Sequence, residues 1–204
     1  MENFLLIFVA LGIGYLAQKR EIFVKETPLI LNQFILYVSL PAMILLQVPR
    51  LSLSFDALVP VVVAWLVMGF SALVIFFLSR FFGFSREVRG SLLLVGVLGN
   101  TSFVGIPIIE AYYGEKALSY VLMYDQLGSF IALSTYGTFV ALYHSSHKKI
   151  DIKAIAIKIF TFPSFVALLI ALLFIGTSFH PVVISTLSSL ASTIVPLALV
   201  SVGF

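Results

Sequence analysis

Apolar stretches long enough to cross a lipid bilayer recur along this whole chain, at residues 3–18, 29–48, 57–79, 90–113, 117–143, 159–179 and 181–204. A helix rises about 1.5 Å per residue and the hydrocarbon core is about 30 Å thick, so roughly 20 apolar residues cross it. The pattern predicts an all-α membrane protein, a polytopic helical bundle. Composition agrees: 61% of residues are hydrophobic and 10% charged, against about 25% charged in a soluble domain. With no cysteine, disulfides, thiol nucleophiles and cysteine metal sites are excluded. The net charge of +3 sits in short connections between spans and reports topology rather than nucleic-acid binding. Met1-Glu2-Asn3 lacks the basic region of a signal peptide, so the first stretch reads as a retained span.

Basic residues alternate from one connection to the next. Lys19, Arg20 and Lys25 follow the first span, Arg80, Arg86 and Arg89 the third, and Lys148, Lys149, Lys153 and Lys158 the fifth, together ten of the twelve. The positive-inside rule makes these connections cytoplasmic and puts the N-terminus outside, in a multi-pass protein of the cytoplasmic (inner) membrane. The chain also echoes itself. LYVSLPAMILL around Pro41 resembles ASTIVPLALVS around Pro196, 155 residues on, and the same spacing carries 3–18 onto 158–173. Five spans intervene between the copies, an odd number, so the second copy is upside down. The expected organisation is a five-span repeat over 1–150 and the first two spans of an inverted second repeat over 151–204. Inverted repeats are the architecture of secondary transporters, with substrate sites near the midplane; chance repetition of a common membrane proline is the alternative.

Residues 99–108, GNTSFVGIPI, interrupt the fourth apolar stretch. Pro107 cannot donate to the carbonyl of Phe103 and its ring crowds the preceding turn, so the helix is expected to kink or open there. Freed backbone groups cost several kcal/mol each in lipid, so a break persists only where it is buried in protein or lines a wet cavity. The new helix ends offer N–H dipoles to an anion and carbonyls to a cation. Asn100, Thr101, Ser102, Gly105 and Pro107 are therefore the expected substrate-binding residues, against a packing kink that binds nothing. Asp125, in YVLMYDQLGSF, is the acid placed well inside a span. With Gln126 it is either a coupling group for H+ or Na+, or a neutral hydrogen-bonded structural acid, its expected partners including Asn100.

Other features carry plainer expectations. Ala10 and Gly14 form a small-xxx-small packing face. Asn32 and Gln33 make an interhelical bond or sit near the interface, and Glu110 snorkels or lines the outer mouth. His144, His147 and His180 lie at span ends without metal spacing, so neither a metal nor a cofactor is expected. Tyr112, Tyr113 and Tyr143 read as interfacial.

GNTSFVGIPI, YDQLGSF, LPA at 40–42 and VPLAL at 195–199 together resemble the auxin efflux carrier family of membrane transporters, in its bacterial branch, over essentially the whole chain. The resemblance implies ten spans in two inverted five-span repeats, each with a proline-broken crossover helix at the substrate site. It also implies transport of small organic anions. Asn100 and Pro107 match the crossover motif; Asp125 and Gln126 fall in the span beside it. The pattern departs at the end: a counterpart of Pro107 would stand near residue 262, whereas the sequence stops at Phe204. The expectation is a truncated carrier, with a homodimer through the first, second, sixth and seventh spans, which the resemblance makes a scaffold, as the other way to complete the site. The leading functional reading is a secondary permease, or part of one, partnered by lipid and a small carboxylate. The alternative is a non-transporting membrane scaffold or remnant. An intramembrane enzyme is disfavoured, because the lone acid lacks a second carboxylate and no histidine inside a span can activate a serine.

Overall fold

The computed structural model describes residues 2–51, 55–144 and 151–204; His147, Lys148 and Lys149 lie outside them. Among the described residues every regular element is helical. The helices are α1 (Glu2–Lys19), α2 (Thr27–Phe34), α3 (Leu40–Gln47), α4 (Val59–Phe81), α5 (Arg86–Val95) and α6 (Ile106–Tyr113). They continue with α7 (Leu118–Met123), α8 (Thr138–His144), α9 (Ile152–Thr161), α10 (Pro163–Leu173), α11 (Pro181–Ala191) and α12 (Ile194–Gly203). Among the described residues three continuous runs, Thr27–Arg50, Phe55–Phe81 and Pro181–Gly203, are long and apolar enough to cross a membrane, and α9 with α10 makes a fourth if taken together.

The differences from the expected spans have local causes. The sixth, 159–179, is in fact two helices parted at Phe162, because Pro163 excludes the residue before it from helical geometry. It also ends early, at Leu173. The fourth is interrupted outright, and the fifth is carried by α7 and α8 with widened π turns at Tyr124–Phe130 and Leu133–Gly137 between them.

The chain forms two compact units. One gathers α1 to α3, Asn100–Leu122 and Pro163–Phe204. Within it α1 lies directly on α12, and the small residues explain why. A Cβ on Gly14 would collide with the Val200 carbonyl and one on Gly203 with that of Leu11, so glycine at both places lets the backbones touch. Ala10, on the same face as Gly14, is buried. The run Thr27–Arg50 packs along α12 and α11. Ser201 donates to Asn32 Oδ1 at 2.7 Å, and the Ser39 and Thr193 hydroxyls meet at 2.7 Å. As the number rises on one strand of the pair it falls on the other, so the two runs are antiparallel. Asn32 therefore makes the interhelical bond.

The second unit holds α4, α5 and Met123–Phe162. Its core is Ala64, Met68, Val97 and Ala132. A Cβ on Gly128 would collide with Ala64, so this pair brings α4 and the π turn at 124–130 into close contact. Trp65 Nε1 donates to the Leu127 carbonyl at 3.1 Å and Tyr136 to that of Leu93 at 3.2 Å. These bonds satisfy carbonyls that the distorted stretches leave over.

Candidate functional site

The interruption of the fourth span is real, and it sits earlier than the proline. Helix α5 ends at Val95 and helical geometry resumes only at Thr101, in a π turn, Thr101–Gly105, that runs into α6. Pro107 is the second residue of α6 and lies inside the half-helix that starts at Thr101; the π turn before it makes room for the ring and takes up the missing N–H. The opening belongs to residues 96–100 and their glycines.

Asn100 stands at the hinge, with φ −87° and ψ 75°. Its Oδ1 accepts from the Phe103 N–H at 3.2 Å, and its carbonyl accepts from the N–H groups of Val104 and Gly105 at 3.3 and 3.1 Å. The amide expected to face a ligand thus caps the second half-helix, leaving Nδ2 outside that bond. Thr101, Ser102 and Gly105 are half-buried, in the turn that packs against α12. Pro107 is fully buried.

Pro107 also lines a cavity of about 300 Å³ within the first unit, with Glu110 from α6, Gln47 from α3, Ser188 from α11, Ser192 just after it and Pro196 of α12. Pro107 and Pro196 thus share one cavity with hydroxyls, an amide and an acid. Glu110 is half-buried, and its Oε2 is buried with no hydrogen-bonding partner, a state that costs free energy unless something else fills it. Sequence reasoning assigned Glu110 to a mouth and passed over Gln47, Ser188 and Ser192. A signal for Glu110 existed: it follows Pro107 by three residues, hence shares its helix face. Glu115, beyond the end of α6, also lines the cavity. It accepts from Gln47 Nε2 at 2.7 Å and pairs with Arg50 at 2.6 Å. The Gln47 hydrogen bond, then Arg50, hold its carboxyl below the usual carboxylate range.

Asp125 and Gln126 belong to the second unit. Both are 1% exposed, and Gln126 Nε2 donates to Asp125 Oδ2 at 2.8 Å, while Gln126 Oε1 is buried without a partner. The Gln126 amide thus bonds the Asp125 carboxyl within the second unit, and the Asn100 side-chain oxygen accepts from the Phe103 N–H.

With this geometry in view, the family described as "membrane transport protein" matches residues 1–204. The chain belongs to that family. It is the family of the auxin efflux carriers that the motif at 99–108 resembles. An uncharacterized transporter of Methanocaldococcus jannaschii is 29% identical over 213 residues, covering 100% of this chain and 68% of the relative. A membrane transport protein, rather than an enzyme, is what family and relative support.

Proposed function

We propose that this member of the family is a secondary transporter, or the part of one carried by this chain, that moves a small organic anion by alternating access. One observation carries the reading: a half-helix capped by Asn100 whose Pro107 lines, with Pro196, a largely apolar cavity into which Gln47, Glu110, Ser188 and Ser192 bring polar groups. Half-helix N-termini at membrane depth attract anionic groups through their oriented N–H dipoles. Asn100, Thr101, Ser102, Gly105 and Pro107 are the substrate residues of this proposal.

The inverted repeat remains part of the proposal, and the packing supports it. Two copies related by a two-fold axis would pair the second and seventh spans antiparallel, as the Ser39–Thr193 and Asn32–Ser201 bonds do, with both prolines just after a helix distortion. In this reading residues 1–150 form one repeat and 151–204 open the next. The basic connections face the cytoplasm and the N-terminus faces outside.

An acid in an anion's cavity repels it unless neutralised, so Glu110 is the group that takes the coupling proton or cation on this reading, with Asp125 the alternative. The test is uptake of radiolabelled carboxylates into liposomes carrying the protein. Asn100→Ala is expected to cut uptake roughly tenfold or more, because a hydrogen bond to a charged group is worth about 1.5–3 kcal/mol. Unchanged uptake with normal insertion removes Asn100 from the site. Glu110→Gln is expected to flatten the dependence of uptake on pH, and Asp125→Asn to leave it standing; the reverse result moves coupling to Asp125.

A further inference from the structure

The second unit carries a feature that the transport reading leaves unused. An open groove of about 770 Å³ runs between α4, α5 and the end of α8. One stretch of its wall is apolar, with Gly69, Leu73 and Phe76 of α4 and Phe139 of α8. Arg86, Arg89 and His144 line it as well. Arg86 donates to the Tyr143 carbonyl and lies over the Tyr143 ring, 5.2 Å from its centroid, which holds the guanidinium at the groove and leaves most of its five donors over. Arg89 has its Nε buried with no acceptor. His144 Nδ1 is engaged by the Val140 carbonyl, and its ring packs on Gly90. Among the described residues neither arginine has a carboxylate within ion-pair distance. The neighbouring acid, Glu87, is exposed; hydrogen bonds from its own backbone and Ser85, with the nearby Arg86 and His144 charges, hold its carboxyl below the usual range.

Two guanidiniums without an ion-paired carboxylate among the described residues, at the end of a groove whose wall is aliphatic and aromatic, match a ligand with a negative head and an apolar tail. We propose that this groove binds an anionic phospholipid, its phosphate taken by Arg86 and Arg89 and an acyl chain lying along Gly69, Leu73 and Phe76. Charge complementarity selects the class. Basic pockets between membrane helices recognise anionic head groups, and a lone phosphate would leave the apolar wall uncovered. The buried Nε of Arg89 gains the acceptor it lacks. Gly69 has no atom within 4 Å of where its Cβ would stand, so the lane beside it has room for a chain.

The test is lipid retention by the purified protein, read by native mass spectrometry with phosphatidylglycerol and phosphatidylcholine in equal amounts. The wild type is expected to prefer phosphatidylglycerol by about tenfold or more, since each near-surface guanidinium contributes roughly fivefold. Arg86→Gln with Arg89→Gln is expected to bring the preference to within about twofold. Arg80→Gln, which removes a basic residue that does not line the groove, is expected to leave it intact. Should the double variant fold poorly, Gly69→Phe keeps both arginines and fills the lane, and a several-fold loss of phosphatidylglycerol is expected there too. Equal retention of the two lipids by the wild type, an undiminished preference in the double variant, or undiminished phosphatidylglycerol retention in Gly69→Phe would overturn the assignment. So would inorganic phosphate binding as tightly as the lipid, which would make the groove a free-anion site.

Discussion

Two regions of the first unit are built alike and end differently. In each a five-residue π turn leads into an α helix whose second residue is proline: Ile35–Ser39 before Leu40-Pro41, and Thr101–Gly105 before Ile106-Pro107. Upstream of the first, α2 continues unbroken, so Thr27–Arg50 is one continuous span. Upstream of the second, the chain leaves helical geometry altogether over residues 96–100. A proline therefore widens a turn and no more, since one missing donor can be absorbed by a change of hydrogen-bond register. Interruption takes glycines that lower helix propensity and an asparagine that restarts the helix by capping it.

The largest expected effect separates the two duties of Asn100. Asn100→Ser keeps a side-chain oxygen for the cap and loses the amide. If the amide meets the substrate, uptake falls about as far as in Asn100→Ala, roughly tenfold or more; recovery of uptake in the serine variant would reduce Asn100 to a cap. Next, Asn100→Ala is expected to lower stability by about 1 kcal/mol in a detergent melt, with Asn100→Ser close to wild type. Equal melting of all three proteins would mean that the Phe103 bond contributes nothing.

Smaller again is the contrast between the prolines. Pro107→Ala is expected to lower uptake about fourfold, from loss of roughly one CH₂ of cavity contact at about 0.8 kcal/mol, and to leave the interruption at 96–100 in place. Pro41 does not line the cavity, so Pro41→Ala is expected to move uptake less. A larger effect at Pro41 would show that bending of the second span, rather than the cavity, governs transport. The smallest effect concerns Glu115, which ties the two regions together through Gln47 and Arg50. Its carboxyl is lowered in the folded state, so the stabilisation is present above the unfolded value and fades as pH falls through the folded one. Both partners are half exposed or more, so Glu115→Gln is expected to cost only about 0.2–0.5 kcal/mol near neutral pH and nothing at strongly acidic pH. A pH-independent cost would assign the effect to packing.

How far the sequence reached differs between elements for physical reasons. Solvent, helical class and the existence of a break at 99–107 were legible because they depend on run length, charge and the conformational limits of glycine and proline. The break was placed too near Pro107 because proline is a louder local signal than paired glycines, whereas glycines and a cap decide where hydrogen bonding lapses. The packing of Gly14 was legible from its spacing to Ala10, but that its partner would be the Val200 carbonyl was not. Glu110 looked peripheral by its position in the span, yet it lines the cavity with Pro107 because both lie on one face of α6.

By itself the sequence determined that this chain dissolves in lipid as helices and that one of them cannot run unbroken, since both follow from transfer free energies and backbone sterics acting within a single segment. Tertiary structure alone decided which polar groups share a cavity and that two arginines border an apolar groove. Those outcomes depend on packing between segments far apart in the chain, and no periodicity within one segment records which neighbour it will meet.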